Sequence, residues 1–285
     1  MKKSFFRVAV LLWLLLMGFE SCVNLKYVND FSAASLKSIS NFEAIGYSFK
    51  QNCLDNCREK KMSDLVLSAE MCNCNENQKA DSVTLLIYNS LRGYLNGLMC
   101  LSNNDLTNYK TDALTRSLTE GSFGELNIAK TQTEAYSKIS ETLLRCFTDK
   151  YRKHQIGNYL KTANESFQIL IKFLDFNLSS NLAGKLEVQK QRMKPYYFDL
   201  TRDQTLSTFE KRKAVEEYYE RYDKIESKED ELFSYSKALK KIADGHQHLA
   251  ENVDRLSKGE IKELLIQSAG DIQDLMAEFN KIKKQ

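Results

Sequence analysis

Four cysteines stand in two close pairs, Cys53-x3-Cys57 and Cys72-x-Cys74. Four thiols in a small volume can bind zinc as thiolates or oxidise to two disulfides. Paired zinc-binding cysteines commonly have two residues between them on a turn. Three residues separate the first pair here and one separates the second, so the spacing favours disulfides. Cys53 and Cys57 lie one helical turn apart and share a face. A chain returning past that face suits nested pairs, Cys57 with Cys72 and Cys53 with Cys74. Closing the inner loop of about fifteen residues would stabilise the fold by roughly 3 kcal/mol in the chain-entropy picture. Cys100 and Cys146 each fall on an apolar helix face, which suits either a third disulfide or two buried thiols. No Cys-x-x-Cys is present, so a redox-active dithiol is not expected.

Other chemistry is sparse. His246 and His248 are two apart on a helix and point away from each other, so they cannot chelate one ion. Asp244 and His248 are one turn apart with Glu251 nearby, a weak pattern for a metal. His246 itself falls in an apolar register, where a polar residue commonly fixes alignment. The sequence contains no Gly-x-Ser-x-Gly, no phosphate-binding glycine loop, no dinucleotide fingerprint and no His-Glu-x-x-His. We therefore expect no enzymatic activity and no cofactor. The run Tyr196-Tyr197-Phe198, just after the single proline Pro195, is either a partner-binding knob or the packing of two long helices.

Those residues must be positioned by helices. One proline and 11 glycines in 285 residues are too few for a turn-rich β or α/β fold. From Val28, apolar or small residues recur at 31, 35, 39, 42, 46, 49, 53 and 57, one face of a helix. A turn or loop is expected between Arg58 and Gln78. A second helix is expected from about Asp81, capped by Asp81 or Ser82, to Leu101. Asp105–Leu118 could form another helix, followed by a break around Gly121 and Gly124. Helices over about 125–151 and 154–194 follow, the latter stopped or sharply bent by Pro195.

The clearest repeat is Val215, Tyr218, Tyr222, Ile225, Glu229, Leu232, Ser236, Leu239, Ala243, His246, Ala250 and Val253, in alternating steps of three and four. It predicts a helix over 204–256, about 75–80 Å long, a turn at Lys258-Gly259, and a last helix through Ile261, Leu264, Ile272 and Phe279. The expected fold is all-α: an elongated antiparallel helical bundle with long coiled-coil-like helices.

The N-terminus supplies an address. Lys2 and Lys3 precede the apolar run Val8–Met17, and Gly18-Phe19-Glu20-Ser21-Cys22 follows, with the small Ser21 before Cys22. Residues 1–22 resemble a bacterial lipoprotein signal. That resemblance implies removal of residues 1–21 and lipidation, including palmitate, at Cys22. The apolar run is short of the roughly 20 residues a helix needs to span a bilayer. Residues 22–30 are expected as a lipidated tether, 31–150 as a cysteine-containing helical part and 151–285 as a long-helix part, the two sharing one bundle. Export also favours disulfides, and without Cys22 six cysteines remain.

Removing Lys2, Lys3, Arg7 and Glu20 from 41 basic and 38 acidic residues leaves 38 and 37. That balance argues against nucleic-acid binding, which normally shows a basic face. The expected partners are a membrane, reached through the lipid, and an envelope protein, with self-association through helices as a further possibility. The expected function is a binding or scaffolding module at the bacterial cell envelope. A membrane-active helical protein, with Val83–Leu101 as its apolar segment, and a solute- or metal-binding lipoprotein are the alternatives.

Overall fold

The computed structural model describes residues 25–102, 130–148, 152–255 and 259–284. The signal segment, Cys22 and the expected helix over Asp105–Leu118 lie outside the described residues, as do Lys258 of the expected turn and the side chains of Cys146 and His154. Eight α-helices are described: α1 (Lys26–Ile39), α2 (Phe49–Ser63), α3 (Asn75–Ser102), α4 (Lys130–Thr148), α5 (Arg152–Asp175), α6 (Ala183–Arg202), α7 (Thr208–Asn252) and α8 (Gly259–Ile282). No strand is found among the described residues.

The 45-residue α7 is the spine and packs against α1, α5, α6 and α8. At about 1.5 Å per residue it is roughly 67 Å long. It starts later than expected because Ser207 and Glu210 form a capping box, each side chain bonded to the other residue's backbone N–H. The nine repeat positions from Ile225 to Val253, Glu229 and His246 included, are all buried. The first three positions of the repeat are not: Val215 is exposed, and Tyr218 and Tyr222 are half-buried.

Residues 26–30, expected within a tether, are helix instead. Val28 is fully buried, and the Asn29 side-chain amide donates to the Met99 carbonyl and the Ser102 hydroxyl. The heptad-like spacing at 28, 31, 35 and 39 therefore builds core rather than a solvated spacer. The helix expected to run unbroken from 28 to 57 is interrupted by a 3₁₀ turn (Ser40–Ala44) and an extended Ile45. Two caps restart it. Ser48 Oγ accepts the Gln51 N–H, and both oxygens of Asp81 accept the Phe49 and Lys50 N–H groups. Asp81 thus does not cap its own helix, which already begins at Asn75; it caps α2 from a neighbouring helix.

Pro195 stops nothing, for α6 runs through it to Arg202. An interior proline costs about 3 kcal/mol, and burial of Met193 and Tyr197 on either side opposes that loss. Between α5 and α6 the helix continues through a π-helical segment, Phe176–Leu182. The cause is visible in Leu170, Leu174, Leu178, Leu182 and Leu186, all buried. Repeated steps of four drift off a 3.6-residue face, and a wider turn brings them back.

Helices before and after residue 150 pack on one another: α3 against α5, and α1 against α7 and α8. Among the described residues, no helix is long and apolar enough to cross a membrane. The Val83–Leu101 segment places Ile87, Leu91, Leu95 and Leu98 in the core.

Candidate functional site

The cysteine pairs form two nested disulfides, Cys53–Cys74 and Cys57–Cys72, with Cα separations of 5.9 and 6.1 Å. All four thiols are therefore used, leaving none as zinc ligands. The bridges staple the first two turns and middle of α2 to the chain just before α3. Just beyond the end of α2 stands Leu65, whose φ of 52° is the only positive φ of a non-glycine residue among the described residues. The Val66 N–H donates to the Lys61 carbonyl and the Leu65 N–H to the Met62 carbonyl. Glycine normally occupies such a left-handed helix terminus, and a side chain there costs about 1–2 kcal/mol. The loop closes further through the Lys61 ammonium, which donates to the Ser68 and Glu70 carbonyls.

This loop does not bury its apolar side chains. Leu65 is 89% exposed and Met71 95%, and Met62, Val66 and Leu67 also face solvent. The sequence showed Leu65-Val66-Leu67 as a brief apolar run but carried no sign that nothing covers it.

Two clefts share Tyr197, and the smaller lies beside the loop. One, of about 550 Å³, is formed by Cys57, Met62, Tyr196, Leu200 and Arg221. Arg221 links the elements, reaching Glu59 at 3.5 Å and the Tyr197 hydroxyl at 3.2 Å. The other, of about 640 Å³, lies between α6 and α7 and is lined by Phe198, Val215, Tyr218, Tyr219 and Tyr222, with Glu187 and Lys194. The run Tyr196-Tyr197-Phe198 thus divides: Tyr197 packs inward against Tyr218 at 5.6 Å, while Tyr196 and Phe198 stay about half exposed.

At the inner edge of this cleft, the Lys190 ammonium bridges Glu187 at 3.0 Å and the buried Glu229. Burial opposes the Lys190 charge, but hydrogen bonds to the two carboxylates outweigh it and raise its pKa. Hydrogen bonds from Lys190 and Gln191 hold the Glu187 carboxyl below its usual range. The signal for this pair was Glu229 itself, an acid in an apolar register.

Elsewhere, His246 is fully buried. Among the described residues no three potential ligands gather for a metal, so Asp244, His248 and Glu251 form no such cluster. The Cys100–Cys146 pairing lies outside the described side chains.

Position along α7 places the loop. Phe31 of α1 rests on Gly245, whereas Glu59 of α2 reaches Arg221. Those two levels of α7 are about 36 Å apart at 1.5 Å per residue, so the loop and clefts sit well away from the start of α1. No protein-family model, no curated protein and no solved structure matches this chain.

Proposed function

We propose that this chain is an exported, lipid-anchored protein without catalytic activity that binds an envelope protein partner through its disulfide-held apolar loop. In this reading Cys22 carries the lipid, and an elongated antiparallel bundle of coiled-coil-like helices holds the loop away from the membrane. The single observation that carries the binding role is Leu65: a strained backbone position used to present an apolar side chain to solvent. Two disulfides fix the loop before any partner arrives, which lowers the entropy lost on binding. They also suit an oxidising compartment. The antiparallel reading of α7 and α8 draws on Glu231–Lys283, Lys237–Glu278 and Lys241–Asp271, whose positions rise on one helix as they fall on the other.

The test is affinity purification of the membrane-extracted chain, comparing the natural sequence with Leu65→Gly and Leu67→Ser. Leu65→Gly relieves the left-handed strain, so the variant should fold at least as stably while losing its partner. Equal recovery of the same partners by all three chains sinks the proposal. Cys22→Ala should release the protein from membranes, and continued retention removes the lipid anchor from the reading.

A further inference from the structure

We infer that a second copy of this chain docks in the groove between α6 and α7, on a two-fold axis passing beside Gln191. This site is separate from the loop at Leu65. The apolar stripe buried along α7 from Ile225 to Val253 continues through Tyr222 and Tyr218, which α6 covers on one side only, to the exposed Val215. On the rest of α7, α8 supplies a neighbouring helix. It ends level with Glu231, where Lys283 lies 3.2 Å from that carboxylate. Beyond that level the stripe faces the groove of about 640 Å³.

The charge along the groove identifies the occupant. At its inner end Glu187 lines the groove and shares the single ammonium of Lys190 with Glu229, buried behind it, so two carboxylates stand around one cation. Its outer end carries Lys194 on the wall and Arg202, whose guanidinium sits 4.0 Å over the Phe198 ring. No carboxylate among the described residues pairs with Lys194 or Arg202. Glu187 and Lys194 are two helical turns apart, about 10 Å, with Gln191 near the midpoint. A surface that is acidic at one end, basic at the other and apolar between is complementary to itself when rotated by half a turn. The rotation sets Glu187 of each copy against Lys194 of the other and closes tyrosine rings over tyrosine rings, a geometry in which aromatic contacts contribute beyond their area. A helix from an unrelated protein would need no such reversal of charge about the midpoint.

A cysteine on the axis reads this out in the full chain in its native envelope. Gln191→Cys should form a disulfide-linked dimer of twice the chain mass under mild oxidation, while Glu165→Cys, on an exposed face of α5, should not. Adding Lys194→Glu to Gln191→Cys turns both rim pairs repulsive and should lower the dimer yield roughly tenfold. Adding Glu187→Lys as well should restore it. Gln191 and Lys194 are exposed, so Gln191→Cys and Lys194→Glu leave the core untouched, whereas Glu187→Lys also takes one of its two carboxylates from Lys190 and is read beside the thermal stability of the same variant. No dimer, a yield unmoved by Lys194→Glu, or an adduct with a different protein overturns the inference. Leu65→Gly should leave the cross-link unchanged, which separates failure of this groove from failure of the loop.

Discussion

The Tyr94 hydroxyl lies 2.7 Å from His246 Nε2, joining residues 152 positions apart in the chain, and His246 Nδ1 lies 2.8 Å from Asn164 Oδ1. An amide oxygen only accepts, so Nδ1 must carry the proton and Nε2 must accept from Tyr94. Phe167 stacks on the imidazole at 4.2 Å. Every polar atom of the ring is thus satisfied in the neutral form, and α3, α5 and α7 are pinned at one level.

Burial pushes the His246 pKa down to about 3, against about 6.5 for a free side chain. The unfolded chain therefore binds a proton between those values that the folded chain refuses. Stability attributable to His246 is complete above about pH 6.5 and falls with acidification, by up to about 1.4 kcal/mol per pH unit. Urea unfolding at pH 7 and pH 5 should show this loss in the natural chain and a smaller loss in His246→Gln. Equal losses in both would refute it.

Gly245, next to His246, allows α1 to approach α7. A Cβ there would lie 2.3 Å from the ring of the fully buried Phe31. Gly245→Ala should destabilise the bundle by about 1–3 kcal/mol through overpacking, although alanine is the better helix former. Adding Phe31→Leu to Gly245→Ala should recover part of the loss. A stabilised Gly245→Ala in thermal unfolding would show that the helices separate easily.

Asp81 holds two N–H groups of α2 from another helix. Asp81→Ala should cost about 1–2 kcal/mol, and Asp81→Asn, which keeps one acceptor oxygen, less. Hydrogen exchange should quicken at Phe49 and Lys50 before the rest of α2. Unchanged exchange at those amides would mean that Ser48 alone suffices.

The limits of sequence reading follow from which forces are local. The nested cysteine pairing was legible because two cysteines one turn apart fix the order in which a returning strand of chain meets them. The long α7 was legible because its register repeats without fault. The interruption at Ile45 was not, since half of its capping comes from Asp81, 32 residues away. Pro195 misled because a local rule met tertiary burial. The π-helical segment left a trace in leucines spaced by four, which resembles ordinary helical periodicity until the drift is followed over several turns. The open groove was least legible. Tyr218 and Tyr222 have the same spacing as buried positions, and the end of α8 leaves them covered by α6 alone.

Lys190 and Glu229 give the sharpest test of how that groove edge is held. Both are largely buried, with side-chain exposures of 14% and 7%. Removing one member of such a pair leaves the other charge without compensation. Glu229→Leu should therefore destabilise the chain by about 3 kcal/mol, at the lower end of the range because Glu187 still pairs with Lys190. Lys190→Met alone should cost a similar amount, since it strands the Glu229 carboxylate. Lys190→Met with Glu229→Leu replaces the pair by apolar contact with Tyr222 and the α7 stripe, and should recover most of the loss. Denaturant unfolding of the four chains yields the coupling directly. Additive losses in the double variant would mean the two charges act independently, and the ion pair would then have no role in holding α6 against α7.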